Sequence, residues 1–186
     1  QLTGLLIKLD RASSSISYYK PDGTLLLKER KKDSRTMEAF QSYRVEQAGQ
    51  TTHIQTADGV KTFVKDAVRV PDKQLYHTRM HFEWQQGEAL YGLGQHEEGV
   101  LNLRGHQVYL HQANRKIAIP LLVSSLGYGI LINTSSTMIF SDTEYGSYLY
   151  TEAVPQLDFY FINGEGMDGI FIRQIERLRF RFWCQV

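Results

Sequence analysis

The sequence predicts an all-β fold, a sandwich or barrel of antiparallel sheets with one helix at its end. Three observations predict it. Short apolar runs alternate with period two along most of the chain. Turn signals interrupt them about every dozen residues. The aromatic load, 11 Tyr and 9 Phe in 186 residues, suits a pleated, half-buried surface.

Taken in order, "LTGLLIKL", "SISYYK" and "TLLLKE" read as strands, the last two joined through the turn "KPDGT". "VKTFVKDAVRV" reads as another strand, preceded by the "ADG" turn (57–59) and followed by a turn at "VPDK" (70–73). The clearest case is "LYHTRMHFEW" (75–84). There Tyr76, Thr78, Met80, Phe82 and Trp84 share a core face, while Leu75, His77, Arg79, His81 and Glu83 take the other. The turn "QQGEA" follows, and beyond it "QVYLH", "GILINT", "TMIF", "SYLYTE" and "LDFYFI" are short strands separated by "LGYG" and "TEYG". After Asn163 and Gly164, Ile170, Phe171, Ile175 and Leu178 in "MDGIFIRQIERL" fall at helical spacing. The last residues, "RFRFWCQV" (179–186), alternate like a strand or stand apart from the fold.

Bulk properties narrow the function classes. A length of 186 residues allows about one domain with a substantial core. The formal net charge of +1 gives no electrostatic case for nucleic acid or a membrane surface. No run approaches the roughly 20 apolar residues of a bilayer span, and the first residues do not have the layout of a signal peptide. The single cysteine, Cys184, excludes an internal disulfide and a cysteine-rich zinc site.

The densest stretch is "ALYGLGQHEEGVLNLRG" (89–105). It opens as G-x-G but lacks the third glycine and the following helix of a dinucleotide loop. Its glycines are expected to make a positive-φ turn with close backbone approach. His77 and His81 would sit about 13 Å apart on a strand, too far for one ion. His106 and His111 would face opposite ways. Glu97 with Glu98, and Asp142 with Glu144, are expected as solvated loop acids, since adjacent residues rarely face each other across a substrate. No G-x-S-x-G elbow is present. The serines of "RASSSIS", "VSSLG" and "NTSSTM" and the triplet Asn133-Thr134-Ser135 read as turns. Neither a metal nor a cofactor is expected. The residues alone make no self-sufficient catalytic constellation.

Three stretches, however, occur in a telling order: "ALYGLGQHEEGVLNLRG", "VYLHQANRKIAIPLLVSSLGYGILINTSS" and "LDFYFINGEGMDGIFIRQIERL". Together, over about residues 75–178, they resemble the amino-terminal domain of glycoside hydrolase family 31, which includes α-glucosidases and α-xylosidases. The Gln95-His96-Glu97-Glu98-Gly99 version is most similar to bacterial members. The resemblance implies a galactose-mutarotase-like supersandwich over 1–165, a connector helix over 166–178 leading to a (β/α)₈ barrel, and an atypical tail over 179–186. It also implies that both catalytic aspartates lie on that barrel. No aspartate of this chain has the neighbours of the family nucleophile, close to Trp-x-Asp-x-Asn-Glu, so none is assigned.

The loop before the "IPLLVSS" strand approaches the substrate in such enzymes. By position, Gln112, Asn114 and Arg115, with Glu97, are the candidate rim residues for an α-linked oligosaccharide. The expected function is that of a non-catalytic domain supporting a retaining α-glycosidase barrel, periplasmic or cytoplasmic in a bacterium. Two alternatives are a free-standing carbohydrate-binding module and a mutarotase-like epimerase using His77, His81 and Glu83. The departure after "RQIERL" is expected to mark a cut or a shifted frame, and the apolar tail a route to self-association.

Overall fold

A computed structural model describes residues 4–46, 51–64, 68–164 and 166–171. Two antiparallel sheets face each other across one core. The larger has eight strands in the order β1 (Leu6–Leu9), β2 (Ile16–Tyr19), β3 (Leu25–Glu29), β7 (Val68–Glu83), β13 (Gly146–Val154), β12 (Met138–Thr143), β9 (Gln107–Leu110), with β4 (Arg35–Glu46) also on β7. The smaller has four: β14 (Phe159–Asn163), β11 (Tyr128–Ile132), β10 (Ile117–Ser124), β8 (Leu90–Gln95). A separate hairpin pairs β5 (Thr51–Thr56) with β6 (Gly59–Val64). This is the all-β sandwich expected.

β7 shows why these residues fold this way. Thr78, Met80 and Phe82 are buried and Arg79 and Glu83 exposed, the alternation the sequence predicts. Met80 pairs with Leu149 of β13 on one edge and with Arg35 of β4 on the other. Its side chain joins Leu26, Leu90, Leu122, Ile130 and Phe140 in the main core. At about 25 cal/mol per Å², each such buried side chain contributes roughly 1.5–3 kcal/mol.

The turn expected at "VPDK" is not one. Pro71 lies inside β7, where Ser42 of β4 faces the additional residues between Pro71 and Gln74. Ser42 Oγ stitches this bulge by donating to Lys73 O at 2.8 Å and accepting from Lys73 N at 3.2 Å. Among the described residues only β4 pairs with this part of β7, so proline costs no ladder bond on its open edge. The helix begins as expected: residues 167–171 are helical, and fully buried Ile170 packs with Leu121, Val123 and Ile162. Phe171, expected on the same apolar face, is instead 47% exposed. Ile175, Leu178, Cys184 and the tail lie outside the described residues.

Candidate functional site

The first half of the glycine stretch is strand, and the second half holds the expected positive-φ turns, with Gly99 and Gly105 at +66° and +78°. Gly92 and Gly94 sit within β8 with φ of +99° and +101°. A Cβ on Gly94 would lie 1.8 Å from the Ile117 carbonyl oxygen, and one on Gly92 2.5 Å from that of Leu121. The expected close backbone approach is therefore present, against β10, whose register shifts between Ala118 and Leu122 around Pro120. Between the glycines Leu93 turns into the core, 1% exposed, at φ +63°. This contorted pairing delivers two loops to one end of the small sheet, residues 96–106 after β8 and residues 111–116 before β10.

The second loop is a tight turn. Ala113 and Lys116 form an isolated bridge, with Lys116 N donating to Ala113 O at 3.2 Å. Arg115 takes φ +62°, a strained value for a side-chain-bearing residue that the short connection imposes. Gln112 Oε1 accepts from Ala118 N at 3.2 Å, which fixes the amide beside the start of β10. Asn114 stands exposed at the tip.

The loops are cross-linked by charge. Arg115 Nη1 lies 3.7 Å from Glu97 Oε1, and Lys116 Nζ 2.5 Å from Glu98 Oε1. The Lys116 hydrogen bond holds the Glu98 carboxyl below its ordinary value. Glu97 and Glu98 are thus not merely solvated: each answers a base across the gap. With Arg115 80% exposed on its side chain, the Arg115–Glu97 pair adds little stability and both ends stay open to a ligand.

Beside this turn lies a cleft of about 430 Å³, lined by His111, Gln112, Pro120, Ser135, Ser136 and Thr137 among others. Among the described residues no Asp, Glu, Lys or Arg lines it. It offers an amide and several hydroxyls, the chemistry of a neutral, hydroxyl-bearing ligand.

The glycosyl hydrolase 31 N-terminal galactose mutarotase-like domain model matches residues 2–140. The chain belongs to that family. An alpha-xylosidase of Saccharolobus solfataricus is 36% identical over 104 residues, covering 51% of this chain and 14% of its own. The crystal structure of the GH31 alpha-xylosidase from Xanthomonas citri matches with a TM-score of 0.53 at 25% identity, over 75% of this chain and 12% of that one. A Flavobacterium johnsoniae GH31 dextranase in complex with glucose shares the fold, with a TM-score of 0.61 at 18% identity over 94% and 18% of the two chains. The chain therefore spans about one seventh of the length of the xylosidase.

In this mutarotase-like domain the epimerase set does not converge. His77 stacks on Phe40 at 4.3 Å, and its Nδ1 lies 3.1 Å from the Tyr150 hydroxyl and beside the Glu152 carbonyl. Glu83 is taken by Lys28 at 2.5 Å. Burial, with Arg30 and Arg79 nearby, pushes the His81 pKa down. Among the described residues no carboxylate is hydrogen-bonded to either imidazole, and Asp33 acts on His81 through its charge alone. Among the described residues no group of three or more His, Cys, Asp or Glu side chains stands close enough to share a metal ion.

The acids that sequence reasoning missed are structural. Glu88, 4% exposed, accepts from Gln85 N at 2.7 Å, Ser124 Oγ at 2.6 Å and Tyr128 Oη at 2.5 Å. Arg104 donates to the Glu88 and Gln85 carbonyls and, at 2.8 Å, to Asp142. Asp142 also accepts from Gly105 N at 2.8 Å. It is half-buried rather than a solvated acid, a correction its TEYG-side neighbours conceal: the partner lies 38 residues away. "NLRG" therefore carries Arg104 as a brace, holding the 96–106 loop to the large sheet.

Proposed function

We propose that this chain is the non-catalytic amino-terminal domain of a retaining α-glycosidase acting on α-linked glucose or xylose. It supports a (β/α)₈ barrel and lends the 111–116 turn to the rim of the substrate pocket. The single observation that carries this reading is the pairing of a family 31 domain match over residues 2–140 with a braced, polar, exposed turn at one end of it. Gln112 through its amide nitrogen, Asn114 at the tip, and the Arg115–Glu97 pair supply hydrogen bonds to sugar hydroxyls without proton transfer. The cleavage itself, through a covalent glycosyl-enzyme on an aspartate, belongs to the barrel.

Two measurements test it. The 186-residue chain alone should not hydrolyse p-nitrophenyl α-glucoside or α-xyloside, and calorimetry should give millimolar affinity for oligosaccharides at best. Turnover above background sinks the reading, and micromolar binding turns it toward a free-standing carbohydrate-binding module. In an enzyme joining this domain to its barrel, Gln112→Ala with Arg115→Ala should raise KM for oligosaccharides roughly tenfold while leaving the aryl-glycoside kcat within about twofold.

A further inference from the structure

β4 is the longest open strand edge among the described residues. It runs for twelve residues, pairs with β7 along one edge, and has no strand on the other. Edge strands are usually shortened, bulged or broken by proline, because their unpaired backbone groups template association. β4 has none of these protections. It contains no proline, and the additional residues of the bulge opposite Ser42 lie on β7, so β4 keeps a regular spacing. Its inner face, between Arg35 and Gln41 and beyond, leaves apolar side chains uncovered: Met37, Tyr43 and Val45 are 49%, 60% and 59% exposed.

The residue order says what fits there. Place a second β4 antiparallel to the first, with Gln41 on the two-fold axis. Glu38 then stands opposite Arg44 of the second copy, and Arg44 opposite its Glu38. Met37 meets Val45, and Ala39 meets Tyr43, each twice. Met37, Ala39, Tyr43 and Val45 face one another, Glu38 faces Arg44, Phe40 and Glu46 meet the small polar Ser42 and Thr36, and the uncovered faces of both copies fall on the same side of one continuous sheet. Other registers lose this. A one-residue slide sets Met37 against Arg44, and centring on Ser42 sets Glu38 against Glu46. Arg44 now holds Glu46 at 2.6 Å with both side chains more than half exposed, a pair weak enough to exchange for Glu38 across the axis.

We propose that β4 is a homodimerisation edge, pairing antiparallel with β4 of a second copy of this chain about Gln41. The proposal does not depend on the glycosidase reading. The pairing adds a short strand seam with a modest apolar face, so the dimer is weak, roughly 10–100 μM.

The test uses the 186-residue chain carrying Cys184→Ser. Sedimentation should show a concentration-dependent dimer of twice the 21.4 kDa chain mass. Directly opposed residues lie about 4.5–5.5 Å apart between Cα atoms, within disulfide reach. Q41C should therefore form a covalent dimer under mild oxidation, whereas D58C, in the exposed β5–β6 turn, should not. E38R and R44E should each raise the dissociation constant roughly tenfold, and the double variant should return it to within about threefold. Circular dichroism checks that each variant folds. A monomer at all concentrations up to 1 mM, equal cross-linking at both cysteines, or no recovery in the double variant would each overturn the proposal.

Discussion

Two acids shut away from water make an instructive pair. Glu88 and Glu29 are 4% and 0% exposed and lie near opposite ends of one aromatic ladder. Tyr18 stacks on Phe161 at 4.0 Å, and Tyr128 lies 5.2 Å from the same ring. Burial raises the pKa of both tyrosines, helped at Tyr128 by the Glu88 charge and at Tyr18 by that of Glu29. The difference lies in how each carboxylate is satisfied. Glu88 uses both oxygens, taking a backbone amide and two hydroxyls. Glu29 uses one: Oε2 accepts from Ile16 N at 2.9 Å and faces Arg35 Nε at 3.4 Å, while Oε1 has no partner. A fully satisfied buried charge fastens segments together, and a half-satisfied one is a standing cost. Glu88 fastens the Leu90–Ser124 end of the small sheet, the end away from the 111–116 turn.

The largest effect is expected at the other end of the small sheet, where β8 and β10 approach most tightly beside the 111–116 turn. Gly94→Ala forces a Cβ into the Ile117 carbonyl at a φ of +101°, so β8 and β10 must separate. A loss of about 4 kcal/mol in urea unfolding is expected, with the 111–116 turn released as well. Substitution at Gly105 is the control: its φ is +78°, yet a Cβ there meets nothing within 4 Å. If Gly105→Ala costs as much as Gly94→Ala, backbone proximity is not what selects glycine in β8.

Next comes Glu88→Ala, which strands the Ser124 and Tyr128 hydroxyls and the Gln85 amide inside the core. About 3 kcal/mol is expected. Glu88→Gln keeps shape and one acceptor and should cost about half as much. Near-equal stability of Glu88→Ala and the parent would remove Glu88 from its place as the fastening point.

How much of this was legible beforehand follows from the range of each interaction. The alternation of β7 is a local signal, and Thr78, Met80 and Phe82 fell where period two puts them. The Pro71 bulge was misread as a turn because proline and aspartate carry that meaning locally, while the open edge that tolerates them is set by β4 thirty residues away. The Gly92–Gly94 pair was seen to need close approach, but not that the approach is to β10. The proposed rim residues come from family resemblance; the charge links there, Glu97 to Arg115 and Glu98 to Lys116, join two loops that no spacing rule connects. Glu88 and Arg104 were missed for the same reason. A lone acid in "QQGEA" looks solvated until Ser124 and Tyr128 arrive from elsewhere in the chain.

The smallest effect is the sharpest test of the contrast. Desolvation raises the Glu29 pKa above its ordinary 4.5, outweighing the Ile16 amide and Arg35, which lower it. The folded state then holds this proton more tightly than the unfolded chain does. Its contribution to stability is greatest below 4.5, declines as pH rises through the folded value, and stays flat beyond it. Glu29→Gln removes the titration while Oε1 of the amide can still accept from Ile16 N. Relative to the parent, the variant should gain stability as pH rises above 4.5, read from urea midpoints at each pH. Parallel profiles for the two proteins would mean that the unpartnered oxygen costs nothing, and that Glu29 is as well accommodated as Glu88.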